Sequence, residues 1–265
     1  MKRIIVLLTA LLALFVFLPT SLLAQGCLGM SSKDYQLGLE VYRQEVQQKV
    51  LYDPDITALV EKLGNRVLDV TGRTHCSYAF TIVRDPNVNA FALPGGFVSV
   101  TLGLLQEVRS EEELLGVLAH EIGHTNLRHA FDKKSNWTSF VLGAASEFAG
   151  KSENKMIRLA SLGGQVAGVG LLAGWSRDHE RDADTVGIQV LMALGLDLKK
   201  FAEFFDRLPS GSMLGLEKVF GSHPSPKSRA KKVRDAAQKQ ELPDSIPDQQ
   251  TFQVLKEHLE QRYRK

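Results

Sequence analysis

The sequence has too few cysteines for a disulfide framework, since only Cys27 and Cys76 occur among 265 residues. A small fold stapled by disulfides is therefore excluded, and the structure has to rest on a hydrophobic core. A chain of this length buries such a core without covalent help. The two cysteines allow either one Cys27–Cys76 disulfide, or a Cys27 with another use and a lone Cys76 thiol.

An excess of charge is also missing. The chain has 32 basic and 30 acidic residues, and residues 1–26 hold two of the basic ones and none of the acidic ones, which leaves 30 against 30. No stretch interleaves basic with aromatic side chains. We therefore expect no nucleic acid partner. The charged fraction of 23% is ordinary for a globular domain.

Residues 1–26 have the pattern of an export signal, with Lys2 and Arg3 before an apolar run and small residues before Cys27. The letters AQGC resemble a lipoprotein cleavage box, although Ala24 stands where Leu is the usual residue. We expect a lipid at Cys27, which would tether an exported, periplasmic protein to a membrane and exclude a disulfide there. Cleavage by ordinary signal peptidase and an uncleaved anchor helix are the alternatives.

A helix carrying a metal site is predicted in the segment SEEELLGVLAHEIGHTNLRH. Ser110 and Glu113 predict a capping box at its start, and apolar residues follow with helical spacing. His120, Glu121 and His124 form the pattern H-E-x-x-H, which puts two imidazoles one turn apart on one face. Such a pair predicts one Zn²⁺ per chain, with Glu121 placed as the general base. Two incidental histidines are the alternative.

Zinc needs a third protein ligand. A histidine six residues after His124 is absent, because Ala130 stands there, and His129 comes one residue early, where it suits a cation near a helix C-terminus. A later helical segment places Glu180 and Asp184 one turn apart on one face. These residues alone leave open whether the two carboxylates serve the metal or form a solvated helix face.

Four segments resemble a family of zinc peptidases that includes the CAAX prenyl endopeptidases, HtpX and the BepA-type periplasmic proteases. The segments are NAFALPGG (89–96), HEIGH (120–124), HERDADTVG (179–187) and SHPSPKSR (222–229). The resemblance implies that Glu180 is the third zinc ligand and that Asp184 orients a ligand imidazole. It also implies a catalytic His223 near the metal, able to stabilise the oxyanion or to cover the zinc. No helical repeats like those of the BepA-type members are expected.

A small sheet is predicted just before the metal helix, from β-branched and aromatic runs over 78–83 and 91–100 with turn residues between them. In the zincin arrangement that the resemblance implies, one edge of this sheet holds an extended peptide by strand addition. Asn89, Ala90 and Phe91 are the candidate substrate-binding residues. A plain core hairpin is the alternative.

Two helices are predicted over 33–70, divided at Asp53, which caps the second helix, and Pro54, which takes its first position. Residues 136–175 form an apolar, glycine-punctuated insert that either packs inside the domain or contacts a membrane surface. A single crossing of the membrane by this insert is excluded, because it would separate Glu180 from the two histidines of the site.

The predicted fold class is α+β: a zincin-like metallopeptidase domain over 27–235, mostly helical with a small sheet. A signal peptide (1–26) precedes it, and a polar C-terminal tail with a terminal helix (236–265) follows. We predict a zinc-dependent metalloendopeptidase of the bacterial cell envelope that degrades misfolded or misassembled envelope proteins. The alternative is a latent or non-catalytic, chaperone-like binding protein with a structural zinc. Three protein ligands would leave zinc an open position, which favours the enzyme.

Overall fold

The computed structural model describes residues 31–73, 77–131, 176–208, 226–245 and 247–264. The elements in these ranges are α1 (Ser32–Val41), α2 (Pro54–Val70), β1 (Ala79–Val83), β2 (Ala90–Leu93), β3 (Phe97–Thr101), α3 (Leu102–Glu107), α4 (Glu111–Asn126), α5 (Arg177–Ala193), α6 (Leu198–Arg207), α7 (Pro226–Ala237) and α8 (Gln250–Tyr263). A π turn (Tyr42–Val46) and a 3-10 turn (Gln47–Lys49) follow α1, and a 3-10 turn (His129–Phe131) follows α4. The predicted α+β class, mostly helical with a small sheet, is confirmed.

Several predictions fall outside the described residues. These are the lipid or disulfide at Cys27, the alternative thiol at Cys76, the catalytic His223 and the apolar insert at 136–175. Among the residues that are described, no helix combines the length and the apolar character that a membrane crossing requires.

Among the described residues, β2 is an edge strand of the sheet. Strand order is β1-β3-β2, with β3 parallel to β1 and antiparallel to β2. The tight turn from β2 to β3 depends on Gly95, whose φ is 81° and whose Cβ, if it had one, would lie 2.4 Å from the Tyr35 Cα. Only glycine adopts that backbone without strain and without a clash, so α1 can pack directly over the turn.

The predicted metal helix, α4, crosses the middle of the core. It packs against α5 along its length and also against α2, α6 and β2. Leu114, Leu115, Leu118 and Ile122 are fully buried. Gly116 lets α6 approach closely, because a Cβ there would meet the Phe201 ring at 2.5 Å. Helix α4 is therefore held on several sides by apolar contacts.

Three buried glutamates begin α4, and each is paired with a basic residue from elsewhere in the chain. The pairs are Glu111 with Arg66 of α2 at 2.5 Å, Glu112 with Lys200 of α6 at 3.1 Å, and Glu113 with Arg207 of α6 at 2.5 Å. Negative charge also suits a helix N-terminus. The three pairs tie the start of the metal helix to two neighbouring helices.

The prediction of a capping box at the start of α4 is wrong, because Ser110 and Glu113 do not make the hydrogen bonds of that motif. Ser110 is the N-cap residue, but its side chain makes no capping hydrogen bond. Glu113 Oε2 instead accepts from the backbone N–H of Arg109 at 2.8 Å, while Arg207 binds the same carboxylate. Arg207, 94 residues away, thus shares the Glu113 carboxylate with a local backbone N–H. The helix still begins where predicted.

The start of α2 is as predicted: Asp53 Oδ1 accepts from the Ile56 N–H at 3.2 Å, and Pro54 takes the first helical position. The same carboxylate accepts from Arg262 Nη1 at 2.8 Å and from the Tyr263 hydroxyl at 2.9 Å. The cap of α2 is thus also an anchor for the end of α8.

The predicted C-terminal tail contributes helix α8 to the common core. Its residues Phe252, Leu255 and Leu259 are buried in the same apolar cluster as α2 and α4. Lys256 Nζ donates to three carbonyl oxygens at the end of α3, at 2.8 to 3.1 Å, those of Leu105, Gln106 and Val108. A lysine at a helix C-terminus satisfies carbonyls that the helix leaves open. Helix α8 therefore fixes the corner between α3 and α4.

Candidate metal centre

Helices α4 and α5 approach closely because small residues face each other between them. A Cβ on Gly123 of α4 would lie 3.2 Å from the Val186 Cβ and 3.4 Å from the Ala183 Cα of α5. Helix α5 begins at Ser176, whose hydroxyl accepts from the His179 N–H at 3.2 Å. The close approach places the first turns of α5 beside the last turns of α4.

Three potential ligand atoms converge between these helices. The distances are 3.1 Å from His120 Nε2 to His124 Nε2, 3.4 Å from His120 Nε2 to Glu180 Oε2, and 3.2 Å from His124 Nε2 to Glu180 Oε1. Ligands at about 2.0 to 2.2 Å from one tetrahedral ion would lie roughly 3.3 to 3.6 Å apart. The described residues therefore include a trio that could hold a metal ion, with all three side chains buried.

Asp184 joins His120, one of the potential ligands, to a partly buried arginine. Its Oδ1 lies 3.0 Å from His120 Nδ1 and accepts from Arg229 Nε at 2.9 Å. Burial alone would raise the pKa of the Asp184 carboxyl, but Arg229 and His120 lower it well below its usual range. The ionised carboxylate favours a proton on His120 Nδ1, which leaves Nε2 as a lone-pair ligand.

Arg229 is also held from its other side. Its guanidinium lies 4.5 Å from the centre of the Phe205 ring, a cation–π arrangement. Arg229 Nη2 is 2.9 Å from His120 Nδ1, and both nitrogens lie close to the same Asp184 oxygen. Two donors cannot bond to each other, so the shared carboxylate explains their approach. Arg229 therefore makes an ion pair with Asp184.

The pKa of His120 reflects opposing influences. Burial and the Arg229 charge act to lower it, whereas hydrogen bonds with Asp184 and Glu180 act to raise it and prevail. The imidazole is therefore more basic than its burial would suggest. Greater basicity strengthens a ligand once its proton has been displaced by a metal ion.

His129, expected to be a cation at the end of the helix, is instead buried. Its Nδ1 lies 2.9 Å from His124 Nδ1, and its ring stacks on His179 with centroids 4.3 Å apart. Burial, followed by the neighbouring His179, lowers the pKa of His129 to about 4. A neutral His129 can accept a hydrogen bond from His124 Nδ1, which again leaves Nε2 for the metal. The expectation of a cation is wrong.

The backbone reaches the position of His129 through a strained residue, Arg128. Arg128, the second residue after α4, has a φ of 55°, which an arginine adopts at a cost of about 1 kcal/mol. Helices often end in this way, but usually with glycine. The left-handed turn brings His129 back beside His124, which is why the spacing of the sequence alone did not indicate their contact.

Of the remaining predicted site residues, the structure describes Glu121, Asn89, Ala90 and Phe91. Glu121 follows His120 on α4 and is 4% exposed, so its side chain is buried. Ala90 and Phe91 belong to β2, and Asn89 immediately precedes it. Helix α4 packs against β2. The edge strand and the metal helix are therefore neighbours, as expected of a cleft between them.

Asp184→Asn is expected to weaken metal binding about 10- to 100-fold, because the amide no longer neutralises Arg229 and orients His120 less firmly. The measurement is a dissociation constant for zinc from competition with a chromogenic chelator. Asp182→Asn is the matched control, since Asp182 lies on the same helix and is exposed. Equal affinities for the two variants would show that Asp184 does not support the ligand.

Two histidines four residues apart on one helix, a carboxylate from a second helix and a buried glutamate beside the first histidine define a metallopeptidase of the H-E-x-x-H class. A family model described as peptidase family M48 matches residues 54–237. The chain belongs to that family, and the resemblance inferred from its four segments is confirmed.

Comparison with individual proteins agrees with this family assignment. The chain is 30% identical to the beta-barrel assembly-enhancing protease of Yersinia pestis over 74% of this chain and 42% of that protein. It is 28% identical to the metalloprotease YcaL of Escherichia coli over 80% of this chain and 76% of that protein. It is 29% identical to the mitochondrial metalloendopeptidase OMA1 of Schizosaccharomyces pombe over 68% of this chain and 52% of that protein. The chain thus spans less than half the length of the first of these relatives.

Proposed function

We propose that this chain is a zinc-dependent endopeptidase that cleaves polypeptides in the bacterial cell envelope. The observation that supports it most strongly is the buried trio of His120, His124 and Glu180, with ligand atoms 3.1 to 3.4 Å apart. Two imidazoles and one carboxylate are a ligand set typical of catalytic zinc. Zinc held there would supply a Lewis acid that polarises the scissile carbonyl and makes water a better nucleophile.

The chain's own residues would then have two tasks. One is to transfer protons, and the other is to orient the ligand side chains. Glu121 takes the proton of the attacking water and passes it to the leaving amine. Asp184 and His129 fix the tautomers of the two ligand imidazoles through contacts of 3.0 and 2.9 Å. His223, through the family resemblance, stabilises the oxyanion or covers the metal at rest.

The substrate would lie as an added strand along β2. Asn89 bonds to Thr101 on the β3 side: its carbonyl accepts from the Thr101 N–H at 3.0 Å, and its N–H donates to the Thr101 hydroxyl at 3.0 Å. In an antiparallel pair the bonding direction alternates along the strand. The backbone groups of Ala90 and Ala92 therefore point to the open edge, where an extended peptide can pair with them. Among the proposed substrate-binding residues, Ala90 is the one that offers these bonds.

The cellular place is proposed from the sequence and from the names of the relatives. Residues 1–26 serve as the export signal, the peptidase domain follows from residue 27, and a lipid on Cys27 tethers it to a membrane. Relatives from Yersinia pestis and Escherichia coli are named beta-barrel assembly-enhancing proteases. By analogy, misfolded or misassembled envelope proteins are the proposed substrates.

The test is to incubate the purified full chain with an outer-membrane β-barrel protein, either folded in detergent or freshly diluted from urea. Cleavage of the unfolded form alone is expected. It should stop when a chelator removes the metal and return when zinc is restored, because the site has no substitute for the ion. Cleavage that persists in the chelator would refute a zinc peptidase. Binding of the unfolded protein without cleavage would favour the chaperone-like alternative.

A further inference from the structure

Three large apolar side chains are exposed around the end of α4 and the first turn of α1. Leu127 is 48% exposed, Phe131 37% and Tyr35 44%. Arg128, which follows Leu127, links the other two, because its guanidinium lies 5.1 Å from the centre of the Phe131 ring and 3.0 Å from Oδ2 of Asp34, the neighbour of Tyr35. We call Tyr35, Leu127 and Phe131 the apolar patch. Exposed apolar side chains that are grouped in this way are typical of an interaction surface, whereas single ones are ordinary.

Helix α1 holds the patch in a fixed position beside the end of β2. Its first turn is closed by Ser31, whose hydroxyl accepts from the Asp34 N–H at 3.2 Å and whose N–H donates to Asp34 Oδ2 at 2.9 Å. A Cβ on Gly38 would lie 1.7 Å from the Pro94 carbonyl oxygen, so α1 packs directly on the turn between β2 and β3. The start of α1 therefore cannot move independently of that turn.

Few residues separate this fixed point from the proposed lipid. Ser31 is the fourth residue after Cys27, and an extended chain spans at most about 3.6 Å per residue. A lipid on Cys27 therefore keeps the start of α1 within about 14 Å of the membrane surface. An uncleaved anchor helix over residues 1–26 would impose a similar limit. Either anchor brings the apolar patch close to the bilayer.

We propose that the apolar patch rests on the lipid bilayer and inserts its side chains among the headgroups. This inference rests on the membrane anchor that is part of the proposed function, and not on peptide cleavage. The short tether supplies the proximity, and the apolar side chains gain free energy by leaving water. The occupant of the patch is therefore a lipid surface.

Docking by this patch orients the peptidase towards its substrates. His124 lies three residues before Leu127, which is about 4.5 Å along the axis of α4. Gly95, in the turn that ends β2, is in close contact with the backbone of Tyr35. One end of the proposed cleft thus faces the bilayer. The substrate class is then a polypeptide segment that lies on the membrane surface or emerges from it.

The experiment places a fluorescent probe on the lipidated protein, bound to vesicles of phosphatidylethanolamine and phosphatidylglycerol. Leu127→Cys and Phe131→Cys carry the probe within the patch, in a Cys76→Ser background. Met192→Cys is the matched control, because Met192 is 44% exposed and lies about 18 Å along α5 from Glu180. Spin-labelled lipids quench a probe that enters the outer 5 to 10 Å or so of the bilayer. Quenching is expected at positions 127 and 131 and not at 192.

A second measurement tests the consequence for cleavage. The lipidated double variant Leu127→Ser, Phe131→Ser is compared with wild type on one peptide, either free in solution or attached to vesicle lipids. Each buried methylene group favours the bilayer about 4-fold, so the loss of two apolar side chains should lower cleavage of the attached peptide by about 10-fold or more. Cleavage of the free peptide should not change. Met192→Ser should match wild type on both peptides.

The outcomes separate this inference from the peptidase function. Equal quenching at all three positions, or none at 127 and 131, would refute docking by the patch, while the free peptide reports separately on catalysis. Probes that are shielded from water before vesicles are added would show that another part of the chain covers the patch, which also refutes docking. A response to unfolded protein instead of vesicles would assign the patch to the substrate.

The anchor itself is checked by mass spectrometry of the protein purified from membranes. A protein with neither a lipid on Cys27 nor residues 1–26 has no tether, and the inference fails with it. If zinc-loaded wild type cleaves no free peptide, the peptidase function is refuted, and the quenching pattern still decides whether the patch docks.

Discussion

Glu121→Gln is expected to lower peptide cleavage by about 10²- to 10⁴-fold, the range typical for losing a general acid–base group. The glutamine is isosteric, so the buried position stays filled, but the amide cannot accept a proton from the attacking water. The zinc content should remain that of wild type, because Glu121 is not among the converging ligand atoms. The effect should therefore appear in kcat rather than in metal affinity.

Its measurement pairs single-turnover peptide cleavage with metal analysis of the same sample. Glu203→Gln is a matched control, since it removes an exposed carboxylate from α6 and should leave both quantities unchanged. Cleavage by Glu121→Gln within a few-fold of wild type would identify another group as the base. Loss of zinc from this variant would instead show that Glu121 contributes to holding the ion.

The second large effect is expected from Glu180→Ala, which should abolish stoichiometric zinc binding. Two imidazoles alone leave the ion with half of its tetrahedral ligands. The fall in affinity should exceed the roughly 100-fold effect expected for an outer partner such as Asp184. Because Glu180 is fully buried, Glu180→Gln is the companion variant that preserves volume. Both variants should lose the metal, which separates ligand loss from the effect of a cavity.

Thermal unfolding gives an independent measure of the same loss. A ligand that binds only the native state stabilises it by about 4 kcal/mol at a free concentration 1,000 times its dissociation constant. Zinc should therefore raise the Tm of wild type and of Asp182→Asn, but not that of either Glu180 variant. If Glu180→Ala retains one zinc per chain after dialysis, the third ligand lies elsewhere in the protein.

Local patterns predicted the elements of the fold well. The helical spacing in α4, the Asp53-Pro54 start of α2 and the strand-forming runs before the metal helix each depend on neighbours in the chain, and the structure has all three. Local patterns do not predict the approach of Glu180 to the two histidines, because these residues lie on helices separated by a long insert. The family resemblance supplied that step, and spacing alone would not have done so.

The contacts that support the site were less accessible to prediction. The local pattern predicts a capping box for Glu113, but Arg207, which is distant in sequence, offers its carboxylate a charged partner. His129 was assigned to a helix end because nothing local indicates that Arg128 adopts a left-handed backbone. A strained turn and a long-range ion pair both depend on the finished tertiary structure. Local sequence patterns therefore do not predict either feature.

Helix α8 has a consequence for when the enzyme can become active during its synthesis. Tyr263 bonds to Asp53 across 210 positions of sequence, and Lys256 holds the corner before the metal helix. Contacts of such long sequence separation form slowly, because a large loop must close first. A ribosome makes residues 250–264 after every ligand of the site. The cleft is therefore expected to mature late, and a nascent chain would carry His120, His124 and Glu180 for some time without a finished protease around them.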